Sequence, residues 1–482
     1  MKQSKKVTQS KFSSYVVKIL FGLAFILTAY IAFYQLGKAP LENWDEAWYA
    51  DATRHMMQTK EFFVLYWNNA IWLDKPPMYM WFSALISSVI GLSEFSVRLT
   101  SAISGIIIVM LVTRYAYKNY GLVPAFLAFV TLALNNVFIW RMRSGNLDIL
   151  ATLFILLVFL VTVSKIKYKY PLLGLLFACI YLTKASLVFF PLAIFILHEL
   201  LFERKELLKR YKEYLKLFFI AALLPAIWLL MGSMRIGSNF AEYYLFRSDQ
   251  GVASVGLSKV NIDYVLYTYY SLQRRFFFVF VAGALFAIRY IKASKVFLML
   301  LLGVGLIFQL SFTERSNNWY LIPSMPFWSL LVAFGTFHVL KLLKNNRIAI
   351  FAVVAVTAFL AYRTFTINIL PILDSASNQK QMQSSKQINA LATPTELVVR
   401  LDHLYPAAVY YTDRTIFASP DGTDGSRGYW LTRADVINNI RTKQMKWVYG
   451  KTGDIEAFQK TVPDIRFKVI KVNDEETILQ AL

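Results

Sequence analysis

Asn43-Trp44-Asp45-Glu46-Ala47-Trp48-Tyr49-Ala50-Asp51 opens a stretch that runs on through Trp72-Leu73-Asp74-Lys75-Pro76-Pro77 and closes at Glu94-Phe95-Ser96-Val97-Arg98. It follows the first long apolar run directly, and most of the chain around it is apolar enough to sit in lipid. This stretch is not: it holds acids, a lysine between an aspartate and two prolines, and many indoles. It reads as a loop at the membrane surface, with the residue types an amphiphilic, charged lipid would need.

The composition around it agrees. Of 482 residues, 57% are hydrophobic and 16% aromatic, and only 17% are charged; mean hydropathy is +0.46. Soluble domains carry about a quarter charged residues, so the class is a polytopic α-helical membrane protein. The net charge of +22 does not point to nucleic acid. Lys and Arg cluster in short loops between apolar runs, as the positive-inside rule expects, and some can meet anionic lipid headgroups. The single cysteine, Cys179, permits no intramolecular disulfide. Five lysines in Met1–Lys18 precede an apolar segment with no small-residue cleavage site. A retained first helix with a cytoplasmic N-terminus is expected.

Taken in order, the apolar runs predict eleven spans, or about 11–13 transmembrane helices given the short ones. The first is roughly 18–36 and runs outward. The segment at about 78–92 is short for a span and is expected to lie along the interface. Basic connections at Lys165–Lys169, Glu203–Arg210, Arg289–Lys295 and Lys341–Arg347 then fall inside, the second of them as an amphipathic helix. Five polar segments fall on one outer face: the first loop (about 37–97), Arg141–Asp148, Lys184, the 234–264 loop and Glu314–Asn318. From about 372 the character changes. Ser375–Gln387 reads as a polar linker. Glu396–Leu401, Ala408–Tyr411, Lys446–Tyr449 and Ile465–Ile470 alternate like strands, with helix-like Arg433–Arg441 and Asp454–Thr461 between them. The expected organisation is a transmembrane catalytic unit, 1–371, and a small soluble α/β domain, 372–482, on the outer side.

Several residues could carry chemistry. Asp45 and Glu46 stand just past the first span, where a carboxylate can take the proton of an acceptor hydroxyl. Asp148 lies at the outer start of the fourth span. Each aspartate also sits where a helix N-cap would stand. Two distant outer acids could act as base and orienter, or share a divalent ion, for which Asp45, Asp74 and Asp148 are the candidates. Lys75 is a compact charge suited to a phosphate oxygen, and Lys184 is a charge between two apolar runs. Arg247 and Arg315 lie in outer loops beside aromatics, as they would to hold a phosphate leaving group. The dispersed histidines form no zinc-type pattern.

Asp45-Glu46-Ala47-Trp48-Tyr49-Ala50, Asp74-Lys75-Pro76-Pro77 and Glu94-Phe95-Ser96-Val97-Arg98-Leu99 together resemble the first outer loop of GT-C glycosyltransferases. The branch they resemble holds the lipid A aminoarabinose transferases and the protein O-mannosyltransferases. Arg143-Ser144-Gly145-Asn146-Leu147-Asp148, Leu182-Thr183-Lys184 and Asn318-Trp319-Tyr320-Leu321-Ile322-Pro323 resemble later motifs of the same branch. The resemblance covers about residues 15–340. It implies an inverting enzyme that uses a polyprenyl-phosphate-linked sugar, with a lipid, cell-envelope glycan or protein hydroxyl as acceptor and no nucleic acid. It implies Asp45 as base, Asp148 as a positioning acid, and Lys75 on the donor phosphate, helped by Lys184, Arg247 and Tyr320. It also implies a bacterial-type inner or plasma membrane setting, with the active site outside. Trp48 stands where aminoarabinose transferases usually carry arginine, and Asp74 where they carry glutamate, so the resemblance extends to the broad family and not to that sugar.

Two other classes share the composition. A lipid-linked-sugar flippase would show paired repeats and charges near mid-membrane in broken helices. A membrane-anchored binding protein would recognise its ligand with the tail domain and use the acids as caps.

Overall fold

A computed structural model describes residues 11–247, 261–313, 316–374, 379–423 and 428–482. It is a helical bundle with a small α/β domain packed on one end.

The chain enters by α1 (Lys11–Phe33) and passes through a surface segment of α2 (Asp45–Thr59), β1 (Tyr66–Trp67), β2 (Ala70–Ile71) and α3 (Met78–Ile90). The 78–92 stretch is thus a helix, as its length suggested. The bundle continues with α4 (Glu94–Tyr120), α5 (Leu122–Ala133), α6 (Asn136–Met142), α7 (Leu147–Thr162), α8 (Lys169–Thr183), α9 (Phe189–Phe202) and α10 (Tyr211–Ile236). A four-residue α11 (Asn239–Glu242) leads into a π-helical turn at Tyr243–Arg247. Then come α12 (Asp263–Ser271), α13 (Arg275–Arg289), α14 (Ser294–Leu310), α15 (Met325–Leu342), α16 (Arg347–Thr364) and α17 (Leu370–Asp374).

Among the described residues, six helices are long and apolar enough to cross a membrane alone. Two further candidates are bent pairs, α5 with α6 at 62° and α12 with α13 at 110°, and four shorter apolar helices complete the bundle. The predicted 11–13 spans are reached only by counting the bent pairs and the short helices. The outermost helices leave large apolar side chains uncovered: Phe219 and Leu230 on α10, Phe278 and Leu285 on α13, Phe351 and Phe359 on α16. On a soluble protein such a surface would aggregate; here it faces hydrocarbon. The expected amphipathic helix at 203–210 is not formed. Only a 3₁₀ turn, Arg204–Glu206, stands there, bracketed by ion pairs of Arg210 with Glu203 and Glu206.

The last domain holds α18 (Gln379–Leu391), β3 (Leu397–Arg400), α19 (Pro406–Thr412), β4 (Ile416–Ala418), α20 (Arg433–Arg441), β5 (Met445–Lys451), α21 (Thr452–Thr461), β6 (Phe467–Lys471) and β7 (Glu476–Ala481). Strand order is β4-β3-β5-β7-β6, parallel across β4, β3 and β5 and antiparallel beyond. Neighbouring residues feed opposite faces, as a period of two requires. Val398, Tyr449 and Ile478 pack towards α18 and α19, and Val399, Val448 and Leu479 towards α20 and α21. Two expectations need correction. Ala408–Tyr411 is helical, because Pro406 opens the segment at a first-turn position where its missing N–H costs nothing. The supposed linker is largely α18, whose Ile388 is fully buried against the sheet.

This domain sits on the surface segment and braces it. The Leu41 N–H donates to the Tyr411 hydroxyl at 2.8 Å, and that hydroxyl donates to Glu94 at 2.9 Å. Asn68, at the tip of the β1–β2 hairpin, exchanges two 2.9 Å hydrogen bonds with the backbone of Ile416. Arg54 of α2 pairs with Asp413 at 2.9 Å.

Candidate active site

The helix breaks and starts at this end of the bundle set the acids. Asn146 is the N-cap of α7, its side chain accepting the Asp148 N–H at 3.1 Å. Asp148 therefore lies one position inside the helix, where the helix dipole favours its charge, and is not the cap. Nor is Asp45: the residue before it, Trp44, takes the cap position with φ 72 and no side-chain bond. A positive φ is costly for a bulky residue and clusters at functional sites. Both aspartates are thus free of capping duty.

They meet across the bundle. One nitrogen of Arg141, Nη2, donates to Asp45 Oδ2 at 2.8 Å and to Asp148 Oδ2 at 3.1 Å. Lys184 Nζ holds the other Asp148 oxygen at 3.0 Å and lies 4.8 Å from the centre of the Tyr320 ring. The Arg141 guanidinium stacks over Trp319 at 4.9 Å, and its Nε is buried with no hydrogen-bond partner among the described residues. Asp148 and Arg141 are each 5% exposed at the side chain, whereas Asp45 is 29% exposed. Asp45 is the carboxylate a ligand can reach.

Asp45, Asp148, Lys75 and Lys184 line one cavity of about 530 Å³, together with Tyr49, Asp74, Trp319 and Tyr320. Leu187, Phe190, Leu306 and Leu310 form its apolar wall. Lys75 is paired with Asp74 at 2.7 Å, and its carbonyl accepts the Tyr244 hydroxyl at 2.9 Å, which fixes the loop. Burial, reinforced by the charges of Asp45, Asp148 and Asp74, raises the Tyr49 pKa well above the ordinary phenol value. Tyr49 is a neutral hydroxyl in this site.

Most of the predicted set is brought together here, and Glu46 is not. Glu46 follows Asp45 by about 100° around α2 and points the other way. It is 2% exposed, holds Arg98 through two bonds of 2.7 and 2.9 Å, and accepts the Gly145 and Glu42 N–H groups at 2.6 Å each. Glu46 ties α2 to α4 and the α6–α7 turn and is not a candidate base. Gly145 is needed for that approach, since a Cβ there would come within 2.8 Å of Val97 and 3.2 Å of Glu46. Arg315 lies outside the described residues, as does the side chain of Arg247. The three aspartates do not suit a metal ion. Arg141 fills the space between Asp45 and Asp148, Asp74 faces Lys75, and among the described residues no three His, Cys, Asp or Glu converge. Arg141 is the residue sequence reasoning missed as a site member. Nothing in its neighbourhood signals a partner 96 positions away.

Comparison with known proteins gives a consistent picture. Residues 74–230 match the family model described as dolichyl-phosphate-mannose-protein mannosyltransferase. A protein of Aquifex aeolicus with no described activity is 25% identical over 73% of this chain and 72% of its own length. The undecaprenyl phosphate-alpha-4-amino-4-deoxy-L-arabinose arabinosyl transferase of Shewanella sediminis is 29% identical over 32% of this chain and 29% of its own. The crystal structure of ArnT from Cupriavidus metallidurans bound to undecaprenyl phosphate superimposes with a TM-score of 0.77 at 14% identity, covering 97% of this chain and 98% of that one. The archaeal oligosaccharyltransferase AglB from Archaeoglobus fulgidus, in complex with an inhibitory peptide and a dolichol-phosphate, gives 0.59 at 13% identity, over 92% and 70%. The fold is the GT-C fold that the sequence motifs implied.

Proposed function

We propose that this GT-C membrane glycosyltransferase moves a sugar from a polyprenyl-phosphate donor to a hydroxyl acceptor with inversion at the anomeric carbon. The observation that carries the reading is the two-sided cavity. Its apolar wall of Leu187, Phe190, Leu306 and Leu310 suits a prenyl chain, and two lysines and a reachable carboxylate stand on the other side. Asp45 takes the proton of the acceptor hydroxyl as the acceptor oxygen bonds to the anomeric carbon. The bond from that carbon to the phosphate oxygen breaks, and polyprenyl phosphate leaves with the electron pair. Lys75 and Lys184 stabilise the charge that develops on it. Arg141 positions Asp45 and Asp148, and the Tyr320 ring backs Lys184.

The Asp45 end is assigned to the outer side, because the lysine-rich connections at Lys165–Lys169 and Lys341–Arg347 lie at the other ends of the helices. The acceptor is a lipid, a cell-envelope glycan or a protein hydroxyl. Broken helices are present, as a flippase would have, but the site charges gather at one end of the bundle. Incubating the protein in nanodiscs with a set of undecaprenyl-phosphate sugars and a membrane extract tests the reading. Transfer to an extract component, with the anomeric configuration inverted by NMR, is expected. Donor binding without transfer from any sugar, together with donor movement between leaflets, would favour the flippase.

A further inference from the structure

A second polar cavity lies at the same end of the bundle, away from the Asp45 site. It measures about 620 Å³, and Arg274, Arg275 and Arg363 line it with no acidic residue among the lining side chains. The fold builds it at the 110° break between α12 and α13. Gln273 and Arg274 both turn through positive φ there, at 54 and 63. Gln273 is fixed by accepting the Thr364 hydroxyl at 2.7 Å and donating to the Leu134 carbonyl at 2.7 Å. This sets the start of α13, with two arginines, against the end of α16, with the third. None of the three makes an ion pair among the described residues. The cleft's surroundings are apolar and exposed: Ile367 lines the cleft, and Phe278 and Tyr362, three residues from Arg275 and one from Arg363 along the chain, are exposed as well.

Arg274 stacks over the Tyr270 ring at 5.1 Å, but no acid answers any of the three arginines among the described residues. Bases are expected at the opposite end of the bundle, and three exposed guanidiniums in one cleft with no lining acid make a concentrated positive site. From this geometry we infer that the cleft is a binding site for the phosphorylated headgroup of a membrane lipid. Guanidiniums take phosphate oxygens in paired hydrogen bonds, and the apolar rim covers the first part of the acyl chains. A free phosphate would have no use for the rim. Asn136 of α6 also lines the cleft, and Arg141, five residues further along the same helix, holds Asp45. An occupied cleft would therefore lie about 7–8 Å along α6 from that clamp. The inference does not rest on the transferase reading.

The test titrates the full-length protein in neutral detergent with dioctanoyl phosphatidic acid, dioctanoyl phosphatidylcholine or inorganic phosphate, and counts bound ligand by native mass spectrometry. Preferential binding of phosphatidic acid is expected. In Arg275→Gln/Arg363→Gln that preference falls by about thirtyfold, the effect of two interfacial bases, and the Arg275→Lys/Arg363→Lys pair restores much of it, as a misfolded protein would not. An unchanged preference in the Gln pair overturns the inference. So does displacement of the lipid by equimolar inorganic phosphate, which would make this a free-anion site. A preference that survives the Gln pair but is lost in Lys184→Gln would place the lipid in the Asp45 cavity instead, and would also overturn it.

Discussion

Arg141 and Asp45 lie 96 residues apart in sequence and 2.8 Å apart in space, and the same guanidinium nitrogen reaches Asp148 at 3.1 Å. One buried cation thus fixes the separation of the two site carboxylates. A lysine would keep the charge and lose the planar guanidinium that lies over Trp319. We expect Arg141→Lys to fold but to lose about a hundredfold in transfer, the scale of an ångström misplacement. Donor binding, for which we propose Lys75 and Lys184, is expected to change little. Initial rates and undecaprenyl-phosphate binding on the same preparation check both halves.

Asp45→Asn removes the proposed base and keeps a hydrogen-bonding partner for Arg141. Transfer from a radiolabelled donor should fall by about 10²–10⁴, the usual contribution of a positioned base, with donor binding retained. Full activity in this variant would remove Asp45 from the role.

Glu46→Gln tests the opposite assignment. It leaves Arg98, buried and held by 2.7 and 2.9 Å bonds, short of its counter-charge. The cost is about 3–5 kcal/mol of stability, read as a lower melting temperature. Rates per folded molecule should stay within a few-fold of wild type, since Glu46 does not line the cavity.

Glu42 supplies a pH test. Burial first, then the nearby Glu46 charge, raises its pKa above the ordinary carboxylate value, while its Oε1 accepts the Trp140 indole N–H at 2.8 Å. A raised native pKa means that the fold favours the protonated form. The wild type is relatively stabilised as pH falls through that value, and the benefit is lost as pH rises through it. Glu42→Gln mimics the protonated form and can still accept from Trp140. It should raise the melting temperature near pH 7.5, and the gain should shrink as the pH is lowered towards 4.

Tyr411→Phe cuts the link between the α/β domain and the surface segment. Leu41 N–H loses its acceptor and Glu94 its donor, a loss of about 1–3 kcal/mol. Because Leu41 lies just ahead of α2, kcat should fall more than the donor KM rises. An unchanged kcat would make the domain a passive appendage.

Much of this protein could be read from its chain. The apolar runs, the short helix at Met78–Ile90 and the strands at Leu397–Arg400, Met445–Lys451 and Phe467–Lys471 follow from hydropathy and period, which are local properties. So does the presence of chemistry-bearing residues at one end, since a charge such as Lys184 between apolar runs is costly and must have a use. Two expectations failed for different reasons: Pro406, a local feature, turned an apparent strand into a helix, and α18 buries Ile388 against a sheet formed by residues far downstream.

Residue types and their order determined that Asp45, Lys75, Asp148 and Lys184 were worth weighing together. Only the tertiary structure decided that they line one cavity, that Glu46 does not, and that Arg141 joins the two aspartates. Adjacent residues on a helix point about 100° apart, so Asp45 and Glu46 had to diverge. Which of them met the cavity depended on how α2 is held against α4 and the α/β domain. That placement is a sum of long-range contacts, Glu46 with Arg98 and Leu41 with Tyr411 among them, and no short stretch of the chain contains it.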